Sequence, residues 1–202
     1  MSNFVYHINT IVHRNRWKSL LILIPLFAAL NLGFSWFNNY ILRAPLFFDS
    51  IFTAAGAVCF GPLAGTLIAA LTNLGMELMY GMAGFHWPFM ICSISTALIL
   101  GFMAKGGYFS KQIHLTLAIL AVTVSNALTG SILAYLLFSG NSGVGIDVIV
   151  SAFTETGMSV LASAFVARLP ANLIDKMIAV YAAFGLKVLF ERVRGEKVFP
   201  DA

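Results

Sequence analysis

Apolar runs of about 20 residues recur from end to end of this 202-residue chain and leave it few options. Each is long enough, as a helix, to cross a hydrocarbon core about 30 Å thick. Lipid offers the backbone no hydrogen-bond partners, so runs of this kind fold as helices that satisfy their own N–H and C=O groups. Charged residues make up 10% of the chain and apolar ones 59%, whereas a soluble domain carries about a quarter charged residues. The expected fold class is all-α: one integral membrane domain over 1–202, with a membrane bundle at 17–193 between tails at 1–16 and 194–202. Spans use nearly all of that length, which leaves no room for a soluble catalytic, ATP-binding or DNA-binding domain.

Within this pattern the stretch 47–81, FFDSIFTAAGAVCFGPLAGTLIAALTNLGMELMYG, organises the rest. Two apolar runs, 46–60 and 63–81, meet at Gly61-Pro62, and proline there predicts a sharp turn. Small residues on both arms, including Ala54, Gly56 and Ala57 and then Ala64, Gly65 and Ala69, let the two helices approach closely. Asp49, Asn73 and Glu77 are the costly polar groups of this hairpin. They mark it as the frame of a small-molecule site within a membrane.

Further spans are expected at 17–37, 87–104, 113–138 and 171–190. Pro25 kinks the first of them, Trp17 lies at headgroup level, and Ala29 and Gly33 form a flat small-residue strip for another helix. The first run is too long, and lacks a small-residue cleavage site, for a removable leader. The piece 146–169 decides the topology. With seven crossings the basic residues split 7 to 5 between the faces, a weak bias. If 146–169 does not cross, the split becomes 9 to 3, with only Arg43, Arg168 and Lys176 outside. Asp147, Thr154, Glu155, Thr156, Ser159 and Ser163 also make 146–169 too polar to face lipid. Six transmembrane helices are therefore expected, with 146–169 as a re-entrant or amphipathic segment and a seventh span as the alternative. Both termini are then cytoplasmic.

This arrangement gathers polar groups from several segments toward the outer face. Glu77 is a charge or hydrogen-bond partner for a ligand, or else an interfacial carboxylate one turn from a loop. Asp175 and Lys176 open the last span in PANLIDK, where a helix start with free N–H groups welcomes an anion. The plain alternative is a cap and a snorkelling lysine. Asn126 and Glu155 either touch ligand or bond a neighbouring helix. His86 and Trp87 anchor the interface or stack on a ligand, and Arg43 and Asp49 flank the first outer loop and can pair with each other. Tyr40, Phe85 and Trp87 would suit a flat ring, and Lys176 a carboxylate or phosphate.

Other chemistries find no support. HExxH, P-loop, CxxC and nucleophile-elbow patterns are missing, and the four histidines (7, 13, 86, 114) are scattered. No catalytic residue, metal site or cofactor is expected. Cys59 and Cys92 read as small residues of apolar runs. The net charge of +4 reflects basic cytoplasmic loops, not affinity for nucleic acid.

The basic N-terminus, the first-span AALNLG, the FFDS opening, the turn FGPLAG (60–65), the polar end of the third span and the last span LPANLIDK with its basic close belong together. In this layout the chain resembles the substrate-binding S component of energy-coupling factor (ECF) transporters, the importers of vitamins and micronutrients. The resemblance implies a six-helix module in a prokaryotic plasma membrane. It implies one small molecule bound tightly near the outer face, with the first outer loop as lid. It also implies three partners, a transmembrane coupling subunit and two cytoplasmic ATPase subunits, with the whole module tilting in the bilayer to release ligand inside. An Ala-xxx-Ala pair docks the family's first span on the coupling subunit; Ala29 and Gly33 match it, the glycine being a departure that keeps the surface small. The length of 146–169 is a second departure. Three rival readings remain: a membrane sensor of a signalling system, which would need a linker helix after the last span; a lipid-directed membrane enzyme, which would need a reactive cluster at one interface; and an assembly or scaffold protein without a ligand.

Overall fold

Gly61 adopts φ +104°, a backbone conformation that residues with a Cβ avoid, and Pro62 follows at the first position of the next helix. The FGPLAG turn thus folds two helices back on each other. The structure, a computed structural model, describes residues 16–84, 86–140, 142 and 145–194, with side chains from 19 to 192. Its regular elements are α1 (Arg16–Phe37), continued by a π-helical turn at Asn38–Leu42, α2 (Ile51–Phe60), α3 (Pro62–Met79), a 3-10 turn at Trp87–Phe89, α4 (Met90–Lys105), α5 (Gln112–Phe138), α6 (Asp147–Glu155) and α7 (Val160–Arg194). The expected tails, apart from residues 16 and 194, the side chain of Trp17 and all of Phe85 lie outside the described residues.

Among the described residues, four segments are long and apolar enough to cross a membrane: Ser19–Leu42, Pro62–Met79, Trp87–Lys105 and Gln112–Phe138. The expected second span, 46–60, is corrected. Only Ile51–Phe60 is helical, and ten residues at 1.5 Å each reach about 15 Å, half of a hydrocarbon core. Residues 43–50 are not helical; Arg43 and Phe48 have φ of 54° and 51°, which turns the chain inward. Arg43 and Asp49 form no ion pair, because Asp49 lies against Lys176 instead.

The C-terminal region departs from expectation in a second way. The segment 146–169 is not one piece: α6 ends at Glu155, Thr156 and Gly157 break the chain, and α7 then runs for 35 residues through Pro170. Pro170 does not start a helix. It lies inside one, as proline can where neighbouring helices satisfy the freed backbone groups. At 1.5 Å per residue α7 is about 52 Å long, more than a bilayer core requires.

One core joins six of the helices, and a smaller one of Ile146, Val150, Ala164, Ala167 and Ala171 packs α6 on α7. Phe27 of α1, Ile51 of α2, Ile68 of α3, Leu100 of α4, Val122 of α5 and Val180 of α7 are buried in a single cluster. Lipid tails are as apolar as these side chains, so close packing and buried hydrogen bonds carry the association. Asn31 of the AALNLG stretch supplies three such bonds. Its Nδ2 donates to Thr53 Oγ1 (3.0 Å) and Thr72 Oγ1 (3.1 Å), and its Oδ1 accepts from the Phe52 N–H (2.9 Å). That last bond satisfies a first-turn donor of α2, which Ser50 at its N-cap leaves open.

Close packing against backbone marks the place where α4 meets the hairpin turn. A Cβ on Gly101 would lie 2.6 Å from Pro62 Cα, inside any real contact, whereas one on Gly33 would meet nothing within 4 Å. Gly101→Ala is therefore expected to lower the melting temperature in detergent, at an overpacking cost of about 1–3 kcal/mol. Gly33→Ala should leave it unchanged or slightly raised, since alanine favours helix by up to about 1 kcal/mol. Equal melting temperatures for the two variants would contradict this packing.

Candidate functional site

A cavity of about 900 Å³, open mouth included, is lined by residues 44–47 and 49, His86, Phe89, Ser142, Gly145 and Ile146 together with the C-terminal part of α3, the N-terminal part of α4 and the middle of α5 and α7. Phe47, Met76, Phe89 and Ile146 give it apolar wall; Asn73, Ser93, Asn126, Arg168, Asn172 and Lys176 give it polar groups.

The polar wall is built by α7. Arg168, Asn172 and Lys176 follow one another at intervals of four residues and so rise along one side of the helix. All three are buried. Lys176 Nζ donates to Asp175 Oδ2 and to Ser50 Oγ, each at 2.6 Å. Asp175 in turn accepts the Phe48 N–H on Oδ1 (2.9 Å). A lysine and its neighbouring acid thereby tie the 43–50 segment to α7 across the roof of the cavity. Phe48, held in a left-handed conformation unusual for a bulky residue, is fixed by that bond. Asp49, next in the chain, lines the cavity beside the same ammonium.

Arg168, 2% exposed, also lines the cavity. Nη2 donates to Ser142 Oγ (2.7 Å), and Ser142 donates to Asp147 Oδ1 of α6 (3.0 Å). Opposite, Asn126 is closed within the helices: its Nδ2 donates to Thr96 Oγ1 (2.9 Å) and its Oδ1 accepts from Ser95 Oγ (2.9 Å). Asn73 donates to Ser93 Oγ (3.0 Å) and to the Ala69 carbonyl (2.9 Å), while its own Oδ1 has no partner among the described residues.

Glu77 lies behind the wall rather than in it. Its carboxylate accepts the N–H groups of Gly84, His86 (2.8 Å) and Trp87 (3.1 Å), which shapes the loop between α3 and α4. His86 follows at the cavity mouth, with its ring 4.7 Å from that of Tyr80. Burial pushes its imidazole below the ordinary histidine range, against the pull of Glu77, so the ring is neutral at pH 7.

Of the residues singled out in the sequence, Asn73, His86, Asn126 and Lys176 line the cavity. Glu77 and Asp175 hold its loops. Trp87 is 56% exposed and Glu155 is exposed at the end of α6; neither lines it. The reading of Asp175 as a first-turn acid is corrected, because α7 begins fifteen residues earlier, at Val160. Arg168, Ser142 and Ser93 are lining residues that sequence reasoning passes over. Arg168 is counted there as an outer-loop charge; the i, i+4, i+8 spacing to Asn172 and Lys176 is the signal that a continuous helix would have exposed. Ala29 and Gly33 are exposed on α1, away from the cavity. Cys59 and Cys92 are half-buried. Among the described residues no group of three or more His, Cys, Asp or Glu is placed to hold a metal ion.

The sequence matches no curated protein and no solved structure. The family model of the ECF transporter substrate-specific component, however, matches residues 19–186, from the start of α1 to the far part of α7. That span includes the hairpin and the wall of the cavity, and on it the chain belongs to the family of ECF transporter substrate-specific components.

Proposed function

We propose that this chain is the membrane-embedded subunit of an ECF-type importer. In this reading it captures a vitamin or related micronutrient at the outer face and delivers it inward when coupled to ATPase subunits. The observation that carries it is the cavity: enclosed at one end of an all-helical bundle, with apolar walls and a few convergent polar groups. A lipid-directed enzyme would need a reactive cluster there. The acids present are engaged in holding loops and a lysine.

The bundle crosses six times, with α2 and the 43–50 segment sharing the second crossing and α7 making the last. Charge supports this topology. With Arg168 and Lys176 buried in α7, the remaining basic residues split nine inside to one outside, Arg43 being the exception. Both termini are cytoplasmic, in a prokaryotic plasma membrane, and the cavity opens outward. Asn73, His86, Asn126 and Lys176 contact substrate. Glu77 and Asp175 position the loops above it; Trp87 anchors the interface and Glu155 faces water. Ala29 and Gly33, exposed and small, give the transmembrane coupling subunit a smooth surface, while two cytoplasmic ATPase subunits supply the energy.

The topology is tested by cysteine labelling in a background carrying Cys59→Ala and Cys92→Ala. Glu155→Cys should react with an impermeant maleimide in intact cells, and Arg192→Cys only after the membrane is opened. Reaction of Arg192→Cys in intact cells would refute six crossings.

Partner docking and substrate capture should also separate. Gly33→Trp is expected to abolish co-purification of the coupling and ATPase subunits, yet leave a small molecule retained in native mass spectrometry. A variant that keeps its partners, or a wild-type protein that recruits a kinase instead, would contradict the importer reading.

A further inference from the structure

Among the described residues, Arg168 is a cavity cation with no carboxylate in direct contact; Asp147 acts on it from behind Ser142. Among the described residues no carboxylate lies within ion-pair distance of its guanidinium, whereas Lys176 is already held by Asp175. Five N–H donors are available on an arginine, and at most two are used here, one on Ser142 and one, at 3.5 Å, on the Ala164 carbonyl. A buried charge left in this state is costly unless something neutralises it. Ser142 relays part of the compensation from Asp147, but it occupies a single position on the fork.

We infer that Arg168 is the anion-binding pole of the cavity, and that the substrate is a small organic monoanion whose carboxylate it takes by paired hydrogen bonds. The inference rests on the substrate-binding reading above and adds the chemical class. Guanidinium and carboxylate match in geometry, two parallel N–H···O bonds at once. Low charge suits the site better than high charge. Asp49 lines the same cavity and Asp147 stands behind Ser142, so a phosphate dianion would meet about twice the repulsion that a monocarboxylate does. Phe47, Phe89, Met76 and Ile146 leave an apolar volume for the body of the molecule, suited to a flat ring.

The test uses three probes on purified full-length protein in detergent: benzoate, its neutral isostere benzamide, and inorganic phosphate. Benzoate should raise the melting temperature of the wild type, and benzamide and phosphate should not. Arg168→Gln should weaken benzoate binding on the order of tenfold to a hundredfold, the loss expected for hydrogen bonds to a charged group. Arg168→Lys, which keeps the charge and loses the fork, should fall between. If Arg168→Gln does not fold, the comparison of benzoate with benzamide on the wild type decides alone. Stabilisation by benzamide as strong as by benzoate, stabilisation by phosphate, no response to benzoate, or an unchanged response in Arg168→Gln would each overturn the assignment. Loss of the anion preference would leave the importer reading intact. Loss of the transporter partners would sink that reading without touching the benzoate measurement.

Discussion

A lysine and an aspartate, adjacent in sequence and both buried, hold this structure's cavity together. Isolated charges do not survive in an apolar bundle, and Lys176 and Asp175 are tolerable because each is bonded beyond the pair: the ammonium to Ser50, the carboxylate to the Phe48 N–H. Those outer bonds matter most. They fasten residues 43–50, which make no helix of their own, to the middle of α7. Without that fastening α2 would remain a ten-residue helix with a loose lead-in, and the cavity would lose its roof.

The same bonds explain an oddity at the start of α2. Ser50 is placed to cap that helix, yet its hydroxyl accepts from Lys176. Asn31 of α1 takes over, accepting the Phe52 N–H while donating to Thr53 and Thr72. Two polar clusters thus share the work at one helix start, one facing the cavity and one facing α1 and α3. The outward side of α1, with Ala29 and Gly33, takes no part in either and stays free of polar structure.

Much of this fold is legible in the sequence because lipid enforces it. Apolar runs must be helices, and Gly61-Pro62 must turn. What the sequence hides are places where a polar or breaking residue has more than one use. Pro170 serves equally as the first residue of a helix or as an interior residue whose freed carbonyl finds a partner elsewhere, and local chemistry does not choose between them. Reading it as a start moved the beginning of the last helix by about three turns, turned Asp175 into a capping acid and left Arg168 in a loop. The polar character of 146–169 is real but divided: part belongs to the short amphipathic α6, part to the cavity side of α7. Glu77 shows the complementary limit. Its cost within a span marks it as important, but only the fold reveals that its ligands are three backbone N–H groups of the neighbouring loop.

The central claim is that Asp175 and Lys176 hold the roof segment in place, and hydrogen–deuterium exchange of the Asp175→Ala variant tests it most directly. The account predicts fast exchange confined to residues 43–50, the Phe48 amide above all, while α4 and α5 stay as protected as in the wild type. Unchanged protection of 43–50, or equal loss of protection across the whole bundle, would contradict it.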